Sequence, residues 1–189
     1  MIIIGITGTL GAGKGTIVDY LIKKMNFVHY SVRGYLIKEI IKQGLEVNRD
    51  SMVSVANELR KKHNPAFIIE ELYKEAYDKG QNAIIESIRT PGEIDLLRTK
   101  SNFYLLAVDA EVHVRYGRIY QRQSETDNIS FDTFADNEKR EMNSNDPTKQ
   151  NLSACIRNAD FVIANNGTVE ELYKQIDEIF FKINAEKTI

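Results

Sequence analysis

Apolar positions along the chain follow two alternating rhythms. Five short runs are apolar for most of their length, at 2–7, 27–31, 82–87, 102–109 and 159–165. Between them apolar residues return every three or four positions, the spacing of a helix with one buried face. That spacing predicts helices over 15–25, 35–42, 51–63, 65–79 and 111–123, with a shorter one from Pro91 to about Lys100. Gly44 closes the second of these, Pro65 suits a helix start and Gly80 a helix stop. Asn166-Gly167 turns the chain, Thr168 and Glu171 form a capping box, and the closing helix carries Leu172, Ile176, Ile179 and Ile183 on one face. Short apolar strands alternating with helices predict an α/β fold, a three-layer α/β/α sandwich on a five-stranded parallel sheet. One section breaks the rhythm. Residues 124–150 are polar and more than a connector needs, with Phe131, Phe134 and Ala135 suggesting a helix begun by Ser130. A lid and a disordered loop are both open there.

Composition narrows the class. The 189 residues fit one domain with a small insertion, and 42% hydrophobic with 28% charged residues is a globular balance. A net charge of −2 advertises no broad affinity for nucleic acid or an anionic membrane. The single cysteine, Cys155, excludes an internal disulfide and is expected in the core. His29, His63 and His113 are scattered without metal-ligand spacing and are expected to be structural or surface. With the first strand predicted from residue 2 no leader is expected, and no apolar run approaches the roughly 18 residues of a membrane span. A cytoplasmic enzyme is the expectation; monomer and dimer both stay open.

The chemistry begins at Gly8-Thr9-Leu10-Gly11-Ala12-Gly13-Lys14-Gly15-Thr16, between the first strand and the first helix. Glycines let consecutive N–H groups turn inward on an anion, and the helix adds its positive end. Lys14 is a mobile charge for the outer phosphates. Strand, glycine-rich turn and helix together make this a phosphate-binding loop for a nucleotide. The DxxG and NKxD elements of GTPases are missing, as is the LSGGQ signature of ABC-type ATPases. An AAA-type machine would close a strand with Asp-Glu, where this chain has Glu86-Ser87. Small-molecule phosphoryl transfer remains, and it calls for cations around the moving phosphoryl group. Arg115, Arg118 and Arg122 share a helix face before the polar section; Arg140 lies within it and Arg157 after it. Arg140 has two readings, a swing onto the phosphates or a pair with Asp136. Glu86-Ser87-Ile88-Arg89 places an acid at a strand's carboxyl end, where open α/β sheets bind ligands.

With these residues the chain resembles the nucleoside monophosphate kinase-like group of P-loop kinases, over residues 1 to about 180. Gly8-x-x-Gly11-x-Gly13-Lys14-Gly15-Thr16 resembles the adenylate kinase form of the loop. Glu86-Ser87-Ile88-Arg89 is similar to the Asp-Gly-x-Arg element, closest to the form in archaeal adenylate kinase-related and dephospho-CoA kinase-like proteins. Arg118 and Arg122 are placed like the arginine pair entering the lid, and Asn48-Arg49 and Glu58-Leu59-Arg60 resemble a region facing the acceptor. The resemblance implies a single kinase domain over 1–189, an acceptor-binding helical region at 32–80 and a lid at 124–150.

It also implies ATP and Mg²⁺ as cofactors and a small-molecule nucleotide as partner. Gly8, Gly11, Ala12, Gly13, Lys14, Gly15 and Thr16 would hold the donor with Arg118 and Arg122. Arg33, Arg60 and Arg89 would face the acceptor, Thr16 and Glu86 the metal, and Lys14, Glu86, Arg89 and Arg122 would act in catalysis. Three departures stand out. Gly15 occupies the place of a metal-binding hydroxyl, Glu86-Ser87 replaces Asp-Gly, and Ile37 stands where adenylate kinases put an acceptor arginine. Three functions therefore stay in view: nucleoside monophosphate kinase, dephospho-CoA kinase, and a nucleotide-binding regulator without turnover.

Overall fold

The computed structural model describes residues 1–100, 102–122 and 129–186. Five strands, β1 (Ile3–Gly8), β2 (Val28–Ser31), β3 (Ala83–Glu86), β4 (Phe103–Asp109) and β5 (Phe161–Ala164), form one parallel sheet in the order β2-β3-β1-β4-β5. The helices are α1 (Lys14–Met25), α2 (Val32–Lys42), α3 (Arg49–Lys62), α4 (Phe67–Lys79), α5 (Pro91–Arg98), α6 (Val112–Arg122), α7 (Phe131–Met142), α8 (Leu152–Arg157) and α9 (Val169–Glu186).

Alternation along each strand divides the core between two faces. Ile3, Ile85 and Leu105 pack on one side with Leu36, Ile68 and Leu97. Ile4, Ile6, Ile84, Leu106 and Val108 pack on the other with Leu21 and Ile176. Both faces are covered, which is why β1 is buried at every position.

Local signals set most element ends. Asn48 and Ser51 cap α3 reciprocally, and Thr90 and Glu93 do the same for α5 with Pro91 in its first turn. Ser31 accepts from Gly34 N at 3.0 Å, so α2 begins directly after β2, earlier than the apolar spacing alone predicts. The expected helix after Ser130 is α7; α8, capped by Asn151, is an additional turn of helix that the polar pattern did not signal. Cys155 lies on α8 and is fully buried, as expected, and burial pushes its thiol up to about 12.

Candidate active site

Strand register brings the phosphate loop and the second motif together. Ile6 of β1 lies beside Glu86 of β3, and Glu86 beside Ser31 of β2. The loop leaves β1 two residues later, so Glu86 closes the strand next to it.

The loop itself is held tightly. Gly8, Gly11 and Gly13 take φ of +140°, +79° and +105°, and a Cβ at Gly8 would lie 2.0 Å from the Val108 carbonyl oxygen. The Thr9 hydroxyl donates to Asp109 Oδ1 at 2.5 Å, and Asn165 Nδ2 donates to Ala12 O at 2.8 Å. Arg115 Nη1 donates to Leu10 O at 3.3 Å. Lys14 Nζ donates to the carbonyls of Gly8 at 2.9 Å and Thr9 at 2.7 Å. Burial, reinforced by the charges of Arg89 and Arg122 against those of Glu86 and Glu141, pushes the Lys14 ammonium down to about 7.

Glu86 Oε1 lies 3.4 Å from His29 Nε2 and accepts from Ser31 Oγ at 3.3 Å. Burial alone would push this carboxyl up; His29, then Lys14 and Ser31, outweigh it and hold the group below the ordinary carboxylate range. His29 is thus an acid's neighbour rather than a bystander, whereas His63 and His113 stack on Phe67 and Phe131. Ser87 takes φ +64°, the conformation for which the resembled element has glycine.

A cavity of about 320 Å³ opens between the loop and helices α2 and α3. Lys14, Arg33, Arg49, Arg60, Arg89 and Arg122 line it together with Glu86 and Glu141, and Val32, Leu36, Met52, Val53 and Ala56 give it an apolar wall. Arg60 is fully buried: Nε and Nη2 donate to Glu93 Oε1 at 3.2 and 2.9 Å, while Nη1 is buried without a partner. Glu93 Oε2 accepts the backbone N–H of Arg89 at 2.7 Å, which sets the start of the Arg89 side chain. Arg89 Nη1 then donates to Glu141 Oε2 at 2.6 Å and Gln150 Oε1 at 2.7 Å.

The predicted site residues therefore divide. Lys14 and Gly15 of the loop, Arg33, Arg60, Glu86, Arg89 and Arg122 line one cavity, whereas Gly8, Gly11, Ala12 and Gly13 are not among its lining residues. Thr16 stands in the first turn of α1, and a Cβ at Gly15 would meet open space rather than a wall. The three arginines of α6 serve different ends. Arg115 is buried and tied to Glu138 of α7; Arg118 is half-buried with Nη1 unpartnered; Arg122 is exposed and reaches the cavity lining. Arg140 pairs with Asn137 of its own helix rather than Asp136, and Arg157 with Ser153. Arg49, Glu93, Glu141 and Gln150 belong to the site without having been singled out as site residues. The Asn48-Arg49 dipeptide was the single signal for Arg49; Glu93 reads locally as a cap, and nothing local marks Glu141 or Gln150.

Among the described residues no group of three or more His, Cys, Asp or Glu could cage a metal ion. Glu86 and Glu141 are the carboxylates of the described residues that line the cavity. Nor is any helix among the described residues long and apolar enough to cross a membrane.

The profile of the AAA domain family matches residues 4–145. The matched stretch takes in the phosphate loop and β3, the strand that ends in Glu86. A UPF0200 protein of Methanococcus vannielii is 29% identical over 186 residues, 97% of each chain. Among solved structures, shikimate kinase from Aquifex aeolicus aligns with a TM-score of 0.54 at 13% identity, covering 99% of both chains. A gluconokinase from Sinorhizobium meliloti aligns with a TM-score of 0.55 at 10% identity, covering 96% of this chain and 97% of its own. The fold is that of P-loop kinases.

Proposed function

This chain belongs to the AAA domain family of phosphate-loop proteins, and from that premise we propose that it moves the γ-phosphoryl group of ATP to a nucleoside or deoxynucleoside monophosphate. The observation that carries the reading is the cavity beside the loop, which joins an arginine cluster to an apolar wall. A polyhydroxy acceptor, of the kind the names of the two kinase neighbours imply for those proteins, needs hydrogen-bonding partners for each hydroxyl. Val32, Leu36, Met52, Val53 and Ala56 offer none from their side chains. They suit a flat heteroaromatic ring, while the arginines suit the phosphate attached to it.

In this reading the backbone N–H groups of Gly11 to Thr16 hold the donor β-phosphate. Lys14 exchanges the carbonyls of Gly8 and Thr9 for the β- and γ-phosphates. Arg118 and Arg122 clamp the donor, and Arg33, Arg89 and the unpartnered Nη1 of Arg60 face the acceptor phosphate. Bound magnesium would supply charge neutralisation at the transferring phosphates, with Glu86, and Thr16 at the loop's end, as the residues near enough to the phosphates to orient its shell. The region 32–80 would then form the acceptor wall and 124–150 the lid, of which 124–128 lie outside the described residues.

Dephospho-CoA presents a hydroxyl, which asks for a general base, and in that alternative Glu86 would be the base. An acceptor that is already an ionised phosphate needs no base and asks no proton transfer of Glu86. Coupled ADP-release assays against nucleoside monophosphates, deoxynucleotides and dephospho-CoA test the proposal. Turnover is expected with a monophosphate; turnover confined to dephospho-CoA would move the reading to a hydroxyl acceptor, and none with any acceptor would leave a nucleotide-binding regulator. Lys14→Ala is expected to lose transfer by roughly three orders of magnitude or more; activity within tenfold of the parent would remove Lys14 from the mechanism.

A further inference from the structure

One acid in the cavity has no role in the transfer proposed above. Glu141, near the end of α7, is 8% exposed and sits between two guanidinium groups. Its Oε1 accepts from Arg49 Nη2 and its Oε2 from Arg89 Nη1 at 2.6 Å. The two arginines come from α3 and from the segment after β3, 92 and 52 residues away in sequence. Both charges hold the Glu141 carboxyl below its ordinary range against the burial that would raise it.

A carboxylate gripped by two guanidinium groups has the geometry and sign of a bound phosphate oxyanion. A phosphate monoester offers more oxygens and more charge to the same donors. One turn earlier on α7, Glu138 binds Arg115 through Nη1 and through Nη2 at 2.9 Å. Arg115 Nη1 in turn donates to Leu10 O of the phosphate loop. The helix thus holds the donor loop through Glu138 and the arginine pair through Glu141.

We propose that Glu141 is a built-in counter-anion of the Arg49–Arg89 pair, which a phosphate monoester entering the cavity displaces, releasing the end of α7. This rests on the reading of the cavity as the site of a phosphate-bearing acceptor. Displacement leaves Glu141 beside a like charge with its partners taken, so the carboxylate and the helix end that carries it must move. Through Glu138 and Arg115 that movement reaches the loop holding the donor. The acceptor site and the donor loop are then coupled by one helix.

The test uses the full chain with the phosphate loop filled by ADP and inorganic phosphate as the probe. Calorimetric titration should show phosphate binding roughly tenfold or more tighter in Glu141→Gln than in the parent, since the competing carboxylate charge is gone. The gain should vanish in the double variant Glu141→Gln, Arg49→Met. In the parent chain, phosphate should speed amide hydrogen exchange in the last turn of α7, a readout that needs no variant. Equal or weaker phosphate binding by Glu141→Gln, or an α7 whose exchange is unchanged at saturating phosphate, overturns the proposal. The two readings fail separately. A chain that turns over a monophosphate yet shows neither effect keeps the kinase function and loses the counter-anion. A chain that shows both effects without turnover keeps the counter-anion and loses the kinase.

Discussion

At the scale of single residues, two side chains hold states that their sequence neighbours do not explain. Lys14 is pushed down to about 7 by burial first and by Arg89 next. A triphosphate brings negative charge and raises that value. Above pH 7 binding must therefore take up a proton, so affinity for ATP is expected to be level below pH 7 and to fall as pH rises through it. The slope approaches tenfold per pH unit. Titration calorimetry at pH 8 in buffers of different ionisation enthalpy should read close to one proton taken up, and none in Lys14→Ala; no uptake by the parent would refute the lowered value. Ser87 is the second case. At φ +64° it takes the conformation that glycine adopts freely and a β-branched residue resists. Ser87→Val is expected to destabilise the fold by about 1–3 kcal/mol and Ser87→Gly to be close to neutral, as read from urea denaturation. A Val variant as stable as the parent would show that the turn relaxes to another conformation.

Between elements, the decisive contacts are buried ion pairs. Arg60 of α3 and Glu93 of α5 are each about 1% exposed in their side chains, and Glu93 also caps its own helix and fixes the Arg89 backbone. Arg60→Met would leave a carboxylate buried with its backbone donors alone. The expected loss is about 3–5 kcal/mol in denaturant unfolding, with a smaller loss once Glu93→Gln removes the stranded charge. Additive losses in the two variants would show that the pair does not interact. This pair also marks how far sequence reasoning reaches. Strands, helix caps and the phosphate loop were legible because their determinants lie within a few residues: Thr90 and Glu93, Thr168 and Glu171, Gly11 and Gly13. Arg60 was read as a ligand of the acceptor, whereas two of its nitrogens are committed to Glu93, 33 positions away along the chain. Glu141 was invisible for the same reason: in sequence it is one acid among several in a polar section, and its meaning comes from two arginines on distant elements. The arginines of α6 looked alike at a spacing of three and four, yet burial separates Arg115 from Arg122.

Over the whole molecule, the sheet order puts β1 in the middle, so the loop leaving it is braced from the side of the chain's later strands. Asp109 at the end of β4 accepts from Thr9, Arg115 of α6 donates to Leu10 O, and Asn165 just past β5 donates to Ala12 O. The loop's curvature is therefore a property of the assembled fold, not of its glycines alone. Asn165 shows this best. It is 5% exposed, and a Cβ built on Gly13 would lie 2.3 Å from its Nδ2. The glycine admits the asparagine, and the asparagine holds the carbonyl of the residue before it. Asn165→Ala removes one buried hydrogen bond, so melting without nucleotide should register a loss of only about 1–2 kcal/mol. Nucleotide affinity should suffer more than that loss alone implies, because a phosphate must then order a loop that the fold no longer sets in advance. We expect ADP to bind roughly tenfold more weakly to Asn165→Ala by titration calorimetry, and the rise in melting temperature at a fixed ADP concentration to shrink with it. ADP binding with unchanged affinity in a variant whose melting has dropped would mean that the loop holds its shape without the brace.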